Sequence, residues 1–200
     1  AWQLDQDEIR KTLISGDQVS RGNRSMRVKL LVGYPFAEHV ITNRITPVLK
    51  ELKKRGHSCV LLDYRSNQSA DIEDDVQRET FYSFPYKTSS SLRRLFYECL
   101  NLLSFGLKNI TINSRGEAGG ALFVSIPSML FVFARVICPN KQVTILDVRD
   151  LTWEYLLENK NNPATRVWRR LVLWAAKGYD YILCSNQFEI DYFSARGLTK

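Results

Sequence analysis

Asp147, Arg149 and Asp150 follow directly on the apolar, β-branched run Val143-Thr144-Ile145-Leu146, and the aromatics Trp153 and Tyr155 come next. A strand that ends in two carboxylates and a guanidinium has two chemical readings. In the first, Asp147 pairs with Arg149, and Asp150 caps the following helix by accepting its unpaired backbone N–H groups. In the second, the three groups form the polar wall of an active-site cleft, with Asp147 and Asp150 as catalytic carboxylates and Arg149 as a substrate contact. Ligands of open α/β sheets bind outside the carboxyl ends of the strands, which is where this cluster falls. Taken by itself the segment favours pairing and capping.

Other candidates sit at similar places. Gly33, Tyr34 and Pro35 follow the first strand, Ser125 ends the fourth, and Arg44 lies on the first helix. Arg44 either reaches an anionic group or remains a solvated helix charge. Ser125 has a second reading as the cap of the helix that Pro127 opens, and His57 reads as a structural residue at a strand entrance. No GxGxxG follows the first strand and no GxxxxGK[ST] is present, so dinucleotide and P-loop nucleotide binding have no support. The glycine-rich stretch Gly116–Gly120 precedes a strand instead of opening a helix and reads as a loop. Ser125 and Ser128 lack the glycines of a nucleophile elbow. Cys59, Cys99, Cys138 and Cys184 are widely spaced in apolar segments, with no CxxC and only two histidines. That pattern argues against a metal site and reads as buried, reduced thiols of a cytoplasmic protein.

These residues need a scaffold, and the patterning supplies one. Val28–Val32 is a strand running into Gly33-Tyr34-Pro35. Ile41, Ile45, Val48, Leu49 and Leu52 then mark one face of a helix that closes with Lys53, Lys54, Arg55 and Gly56. Cys59–Leu62 is a second strand, which makes a βαβ unit and a parallel sheet. Residues 64–79 read as a loop and Thr80–Phe84 as a third strand. Leu92, Leu95, Phe96, Cys99, Leu100 and Leu103 give a helical stripe closed by Gly106. Strands at Leu122–Ile126 and Val143–Val148 flank a buried helix, Pro127–Ile137. The helix Arg166–Lys177 is expected to bury Val167, Leu171, Trp174 and Ala175, with Arg169 and Arg170 pointing elsewhere. Tyr181–Cys184 is the last strand, Asn186 and Glu189 resemble a capping box, and Gly197 closes the final helix. The fold class is therefore α/β: Rossmann-like and doubly wound, with a mainly parallel sheet and helices on both faces.

Residues 1–25 balance four acids against four bases and read as an N-terminal extension or a remnant of expression; residues 26–200 form the domain. A 200-residue chain that is 44% hydrophobic can build one full-sized core. The window Ala121–Cys138 is interrupted by Ser125, Pro127, Ser128 and Arg135, and reads as strand plus helix and not as a membrane span. The net charge of +7 calls for an anionic partner. Nucleic acid lacks a recognisable motif, while an anionic membrane surface and phosphorylated small molecules both fit. Arg93, Arg94, Phe96 and Tyr97, with Arg166, Trp168, Arg169 and Arg170, mix basic and aromatic groups as interfacial helices do; the alternative is that these stripes face the core.

Three segments, in order, resemble the N-terminal domain of a family-four glycosyltransferase of the GT-B fold. They are GYPFAEHVITNRITPVLKELKKRGHSCVLL (33–62), VSIPSMLFVFARVICPNKQVTILDVRDLTWEYL (124–156) and WRRLVLWAAKGYDYILCSNQFEIDYFSARGL (168–198). The first has the opening strand, glycine-proline loop and arginine-bearing helix. The second has the Ser-x-Pro turn and the strand ending in Asp-x-Arg-Asp, and the third has the helix, the short strand ending in serine and the closing glycine. Thr152 interrupts the family's Leu-Trp pair, Gly178-Tyr179-Asp180 replaces a more usual Ala-Asp, and the first loop lacks the double glycine of many members.

The resemblance implies transfer of a sugar from a nucleotide-sugar donor to an acceptor hydroxyl on a glycan or lipid-linked acceptor, with no cofactor and no metal. It also implies that the donor is held mainly by a second Rossmann-like domain, expected after Lys200, so this half alone is expected to be inactive. The setting is cytoplasmic, at or near a membrane face. On this view Asp147 and Asp150 are catalytic, and Gly33, Tyr34, Pro35, Arg44, Ser125 and Arg149 bind substrate. The other reading of the residues is a non-catalytic Rossmann-like binding or regulatory domain, which a stop codon after Lys200 would favour.

Overall fold

The computed structural model describes residues 25–33, 39–64, 76–85, 91–114, 120–126, 130–137, 142–148, 151, 154 and 163–198. The N-terminal stretch read as an extension, apart from Ser25, lies outside them, as do Tyr34, Pro35, Cys138, Arg149, Asp150, Thr152 and Trp153.

Six strands, β1 (Arg27–Val32), β2 (Ser58–Tyr64), β3 (Gln77–Phe81), β4 (Ala121–Ile126), β5 (Val143–Val148) and β6 (Tyr181–Leu183), pair in parallel in the order β3-β2-β1-β4-β5-β6. The helices are α1 (His39–Lys54), α2 (Ser91–Ser114), the single turn α3 (Ala134–Ile137), α4 (Pro163–Lys177) and α5 (Gln187–Ser194).

Strand residues alternate between two cores, as a pleated sheet buried on both faces requires. Val28, Leu30 and Val32 of β1 join Cys59, Leu61, Phe123 and Ile145 beneath Ile45 and Leu49 of α1. On the other face Leu31, Val60, Leu62, Leu122, Val124 and Leu146 pack under Phe105 and Ile112 of α2, the 3₁₀ turn Phe131–Phe133, and Val172 and Ala176 of α4. The sheet is thus doubly wound, as its patterning predicts. Gly56 and Gly197 end α1 and α5 at φ of 78° and 67°, the left-handed conformation that glycine adopts without strain.

Several expectations are corrected. The third strand is Gln77–Phe81 and not Thr80–Phe84, so residues 77–79 leave the expected loop. Its polar sequence suits an edge strand: Arg78 reaches back to buried Asp63 of β2, and Glu79 accepts from Lys108 of α2. Gly106 does not stop α2, which runs eight residues further. A Cβ there would lie 3.1 Å from Cδ1 of Ile137, so the glycine serves close packing against α3. In place of one helix over Pro127–Ile137, the described part is a 3₁₀ turn followed by α3.

Of the two readings of the α2 stripe, its apolar side faces outward, and the face expected to be buried on α4 is mostly exposed. Leu92, Leu95, Phe96 and Leu103 are exposed, while Glu98, Asn101 and Asn109 are buried. On α4, Val167, Leu171 and Trp174 face solvent, and of the four residues expected inside only Ala175 is buried. Cys99 is likewise exposed, whereas Cys59 is buried and Cys184 half-buried.

Candidate functional site

The order β3-β2-β1-β4-β5-β6 reverses direction between β1 and β4. β1 is followed by α1 on one face of the sheet, and β4 by the 3₁₀ turn and α3 on the other. The carboxyl ends of these strands are therefore the topological switch point, the crevice where open α/β sheets bind ligands. Four of the candidate residues described meet there.

Val32 is in register with Ser125, and Ser125 with Asp147, so the ends of β1, β4 and β5 are level. The backbone N–H of Gly33 donates to the carbonyl of Ser125 at 3.3 Å. Ser125 shares its strand face with Ala121 and Phe123, and Asp147 shares its face with Ile145. Pleating thus turns both side chains toward α1. One turn of α1 brings Arg44 over them, just before buried Ile45.

Asp147 Oδ2 accepts from Arg44 Nε at 2.8 Å and from Ser125 Oγ at 3.0 Å, and Oδ1 accepts from Arg44 Nη2. The carboxylate is 2% exposed and the arginine side chain 23%. This is a forked, charge-assisted pair with a hydroxyl locked to it. The partner expected for Asp147, Arg149, lies outside the described residues; the one observed is Arg44. With three donors on its two oxygens, Asp147 holds Arg44 and Ser125 in fixed orientation. Tyr34, Pro35, Arg149 and Asp150 follow the same strand ends in sequence and lie outside the described residues.

Further along the same edge, Cys184 follows β6. Burial first, then the carboxylates of Glu189 and Asp147, push its thiol up to about 12. Glu189 is buried and accepts from the backbone N–H of Ser185 at 2.6 Å and from its hydroxyl at 3.1 Å. Asn186 accepts from the backbone N–H of Glu189 at 2.9 Å. The capping box is present in a variant form, since the glutamate reaches Ser185 and not the cap residue itself.

Burial also raises the thiols of Cys59 and Cys99; Lys53 partly offsets this for Cys59, and Glu98 adds to it for Cys99. Fewer thiolates mean slower alkylation. Iodoacetamide labelling followed by peptide mass spectrometry is expected to find Cys99 modified before Cys59 and Cys184. Cys184 is expected to stay unmodified in the native protein at neutral pH and to react at once on unfolding. Native labelling of Cys184 as fast as Cys99 would contradict the buried setting at the end of β6.

Two structural groups escaped the sequence reading. Glu154, just past the Asp-Val-Arg-Asp cluster, accepts two bonds from Arg169, at 2.8 and 2.6 Å, and one from the Tyr192 hydroxyl at 2.5 Å. It ties the segment after β5 to α4 and α5, and its only sequence signal is its place beside the cluster. Lys29, fully buried in β1, donates to Asn109 Oδ1 at 2.9 Å and to Asn113 Oδ1 of α2. A lysine inside an apolar strand was the signal for it. His57 accepts from the backbone N–H of Met26 at 3.3 Å, at the amino end of β2 and away from the crevice. Among the described residues no group of three His, Cys, Asp or Glu is placed to hold a metal ion.

No protein-family model matches the chain, and no curated protein matches it either.

Proposed function

We propose that residues 26–200 form the N-terminal, acceptor-side domain of a GT-B glycosyltransferase of the family-four kind. Its reaction transfers a sugar from a nucleotide-sugar donor to an acceptor hydroxyl in glycan or polysaccharide biosynthesis. One observation carries the reading. Two of the segments that bear the resemblance, far apart in sequence, are joined at the switch point of the sheet by the Arg44–Asp147–Ser125 cluster. The resemblance assigns substrate roles to these residues, and the crevice is where such a fold binds ligands.

In this transfer the acceptor oxygen bonds to the anomeric carbon, the bond from that carbon to the nucleoside diphosphate breaks, and the acceptor's proton passes to the Asp150 carboxylate. Asp147 contributes by fixing Arg44 and Ser125, a positioning role that supplies orientation. Asp150 is the carboxylate assigned to the reacting hydroxyl, with Gly33, Tyr34, Pro35, Ser125 and Arg149 framing the acceptor. The donor is assigned to a second domain, and no metal or cofactor enters the scheme. Free thiols at Cys59, Cys99 and Cys184 support a cytoplasmic setting.

The test uses the complete gene product with a panel of nucleotide sugars and polyprenyl-linked acceptors, reading release of nucleoside diphosphate. Acceptor-dependent release from one donor is expected. Arg44→Lys keeps the charge but loses the fork, and is expected to lower kcat/KM about a hundredfold with the circular dichroism unchanged. Ligand binding in the crevice without transfer from any donor would replace this reading with that of a non-catalytic binding domain.

A further inference from the structure

Helix α2 is amphipathic in the wrong sense for a core helix. Its inward side carries Glu98, Asn101 and Asn109 among the apolar Phe105 and Ile112, and the polar groups are satisfied: Lys29 binds Asn109, and Asn101 accepts from the backbone N–H of Phe84 at 2.6 Å. Its outward side carries Leu92, Phe96, Leu103, Leu107 and Ile110, spaced three to seven residues apart, and Leu92 is 80% exposed. At helical periodicity these residues form one continuous stripe about 27 Å long. Helix α4 repeats the arrangement, with Val167, Leu171 and Trp174 exposed at i, i+4 and i+7.

Both helices lie on the same face of the sheet, with α3 between them: Gly106 of α2 packs on Ile137, and Trp168 of α4 packs on Phe133 with ring centroids 5.9 Å apart. Solvent-facing apolar stripes on adjacent elements of one layer mark an interaction surface.

The charge of this layer identifies what it meets. Helices α2, α3 and α4 hold eight bases and a single acid, Glu98, so their net charge is +7. The whole chain has 28 bases and 21 acids, also +7, which leaves 20 of each for everything else. The chain's entire charge excess therefore resides on the layer with the exposed apolar stripes. Some of it is neutralised locally, since Arg94 pairs with Glu98, Lys108 with Glu79 and Arg169 with Glu154. Arg166, Arg170 and Lys177 remain exposed around Trp174.

We infer that the outer face of α2, α3 and α4 docks on an anionic lipid bilayer, with α2 and α4 lying in the plane of the interface. Leucine, phenylalanine and tryptophan side chains enter the acyl boundary while arginine and lysine meet the headgroups. Among the described residues no helix is long and apolar enough to cross a membrane, so the contact is one of lying on the surface. A second copy of the chain is a poor occupant, because pairing through this face would set +7 against +7. The surface is independent of the transferase reading: vesicle binding requires neither donor nor turnover, so either can fail without the other.

The test is co-sedimentation of the 200-residue chain with vesicles of phosphatidylcholine alone or of phosphatidylcholine and phosphatidylglycerol in equal parts. Binding to the anionic vesicles that weakens with salt is expected. Leu103→Glu and Leu107→Glu each lower it about tenfold. Arg166→Gln and Arg170→Gln each lower it roughly fivefold and flatten the salt dependence. All four positions are exposed, so Tm should hold. A polarity-sensitive fluorophore on exposed Cys99, between Phe96 and Leu103, gives a second readout that needs no variant: its emission shifts to the blue on anionic vesicles. No partition at low salt overturns the proposal, as does partition indifferent to both leucine substitutions. A wild-type dimer in solution that Leu103→Glu dissociates would show instead that a second copy covers the face.

Discussion

Asp147→Ala is expected to destabilise the fold by about 3 kcal/mol or more, the usual cost of breaking a buried ion pair from one side. The substitution strands a largely buried guanidinium and removes the acceptor of the Ser125 hydroxyl, which has no exposure of its own. Asp147→Asn should fall between the parent and Asp147→Ala. It keeps the shape and one acceptor oxygen but turns a donor toward Arg44. Arg44→Met leaves the carboxylate with Ser125, so its cost should be comparable to that of Asp147→Ala. The double variant Arg44→Met/Asp147→Leu should cost clearly less than the sum, because neither charge is left behind. Urea unfolding followed by far-UV circular dichroism measures all four. If Asp147→Ala stays within about 0.5 kcal/mol of the parent, the pair is not the latch its geometry describes.

Asn109→Leu is expected to be more damaging than Lys29→Met, although it removes the less polar residue. Lys29 is fully buried and Asn109 nearly so, with the ammonium 2.9 Å from the amide oxygen. Taking away the asparagine removes one acceptor from a buried cation that keeps Asn113, a loss of about 3 kcal/mol, since an unmet donor costs most when it is charged. Replacing the lysine by methionine removes the charge, keeps the length of the side chain, and takes a donor from two neutral amide oxygens, of which only that of Asn109 is buried, at about 1–3 kcal/mol. Combining the two should recover much of the loss. Chemical denaturation gives the order directly, and a Lys29→Met variant less stable than Asn109→Leu would reject the account. Because this lock draws the polar side of α2 inward, it also bears on which side of that helix is left for solvent.

The strands and their sequence were legible because β-branched runs between polar breaks leave few alternatives. Val28–Val32, Leu122–Ile126 and Val143–Val148 all form strands, and Gly56 and Gly197 end helices as read. Periodicity reveals that a helix has an apolar stripe but not which way the stripe faces. In the sequence Leu92, Phe96 and Leu103 suit a core stripe and an interfacial one alike, and the buried partners of Asn109 and Asn101, Lys29 and the backbone of Phe84, account for the polar side facing inward. Gly106 looked like a stop because a glycine chosen for close approach and one chosen for a left-handed turn are the same letter.

In the candidate site, Gly33, Ser125, Asp147 and Arg44 were each identified individually, but their association was not. Arg44 and Asp147 are 103 residues apart, and a reading along the chain pairs Asp147 with its neighbour Arg149 first. Their contact depends on strand order, which no local pattern encodes.

The same order governs how the molecule assembles. Each neighbouring pair within β1–β3 or β4–β6 is joined by a short crossover, but Val28 of β1 pairs with Ala121 of β4 across more than ninety residues. The loop-closure entropy of folding is therefore largest at that one seam. The Arg44–Asp147 pair joins residues from opposite sides of the seam. A half-molecule with three paired strands lacks it, so the crevice and its latch exist only once both halves have docked.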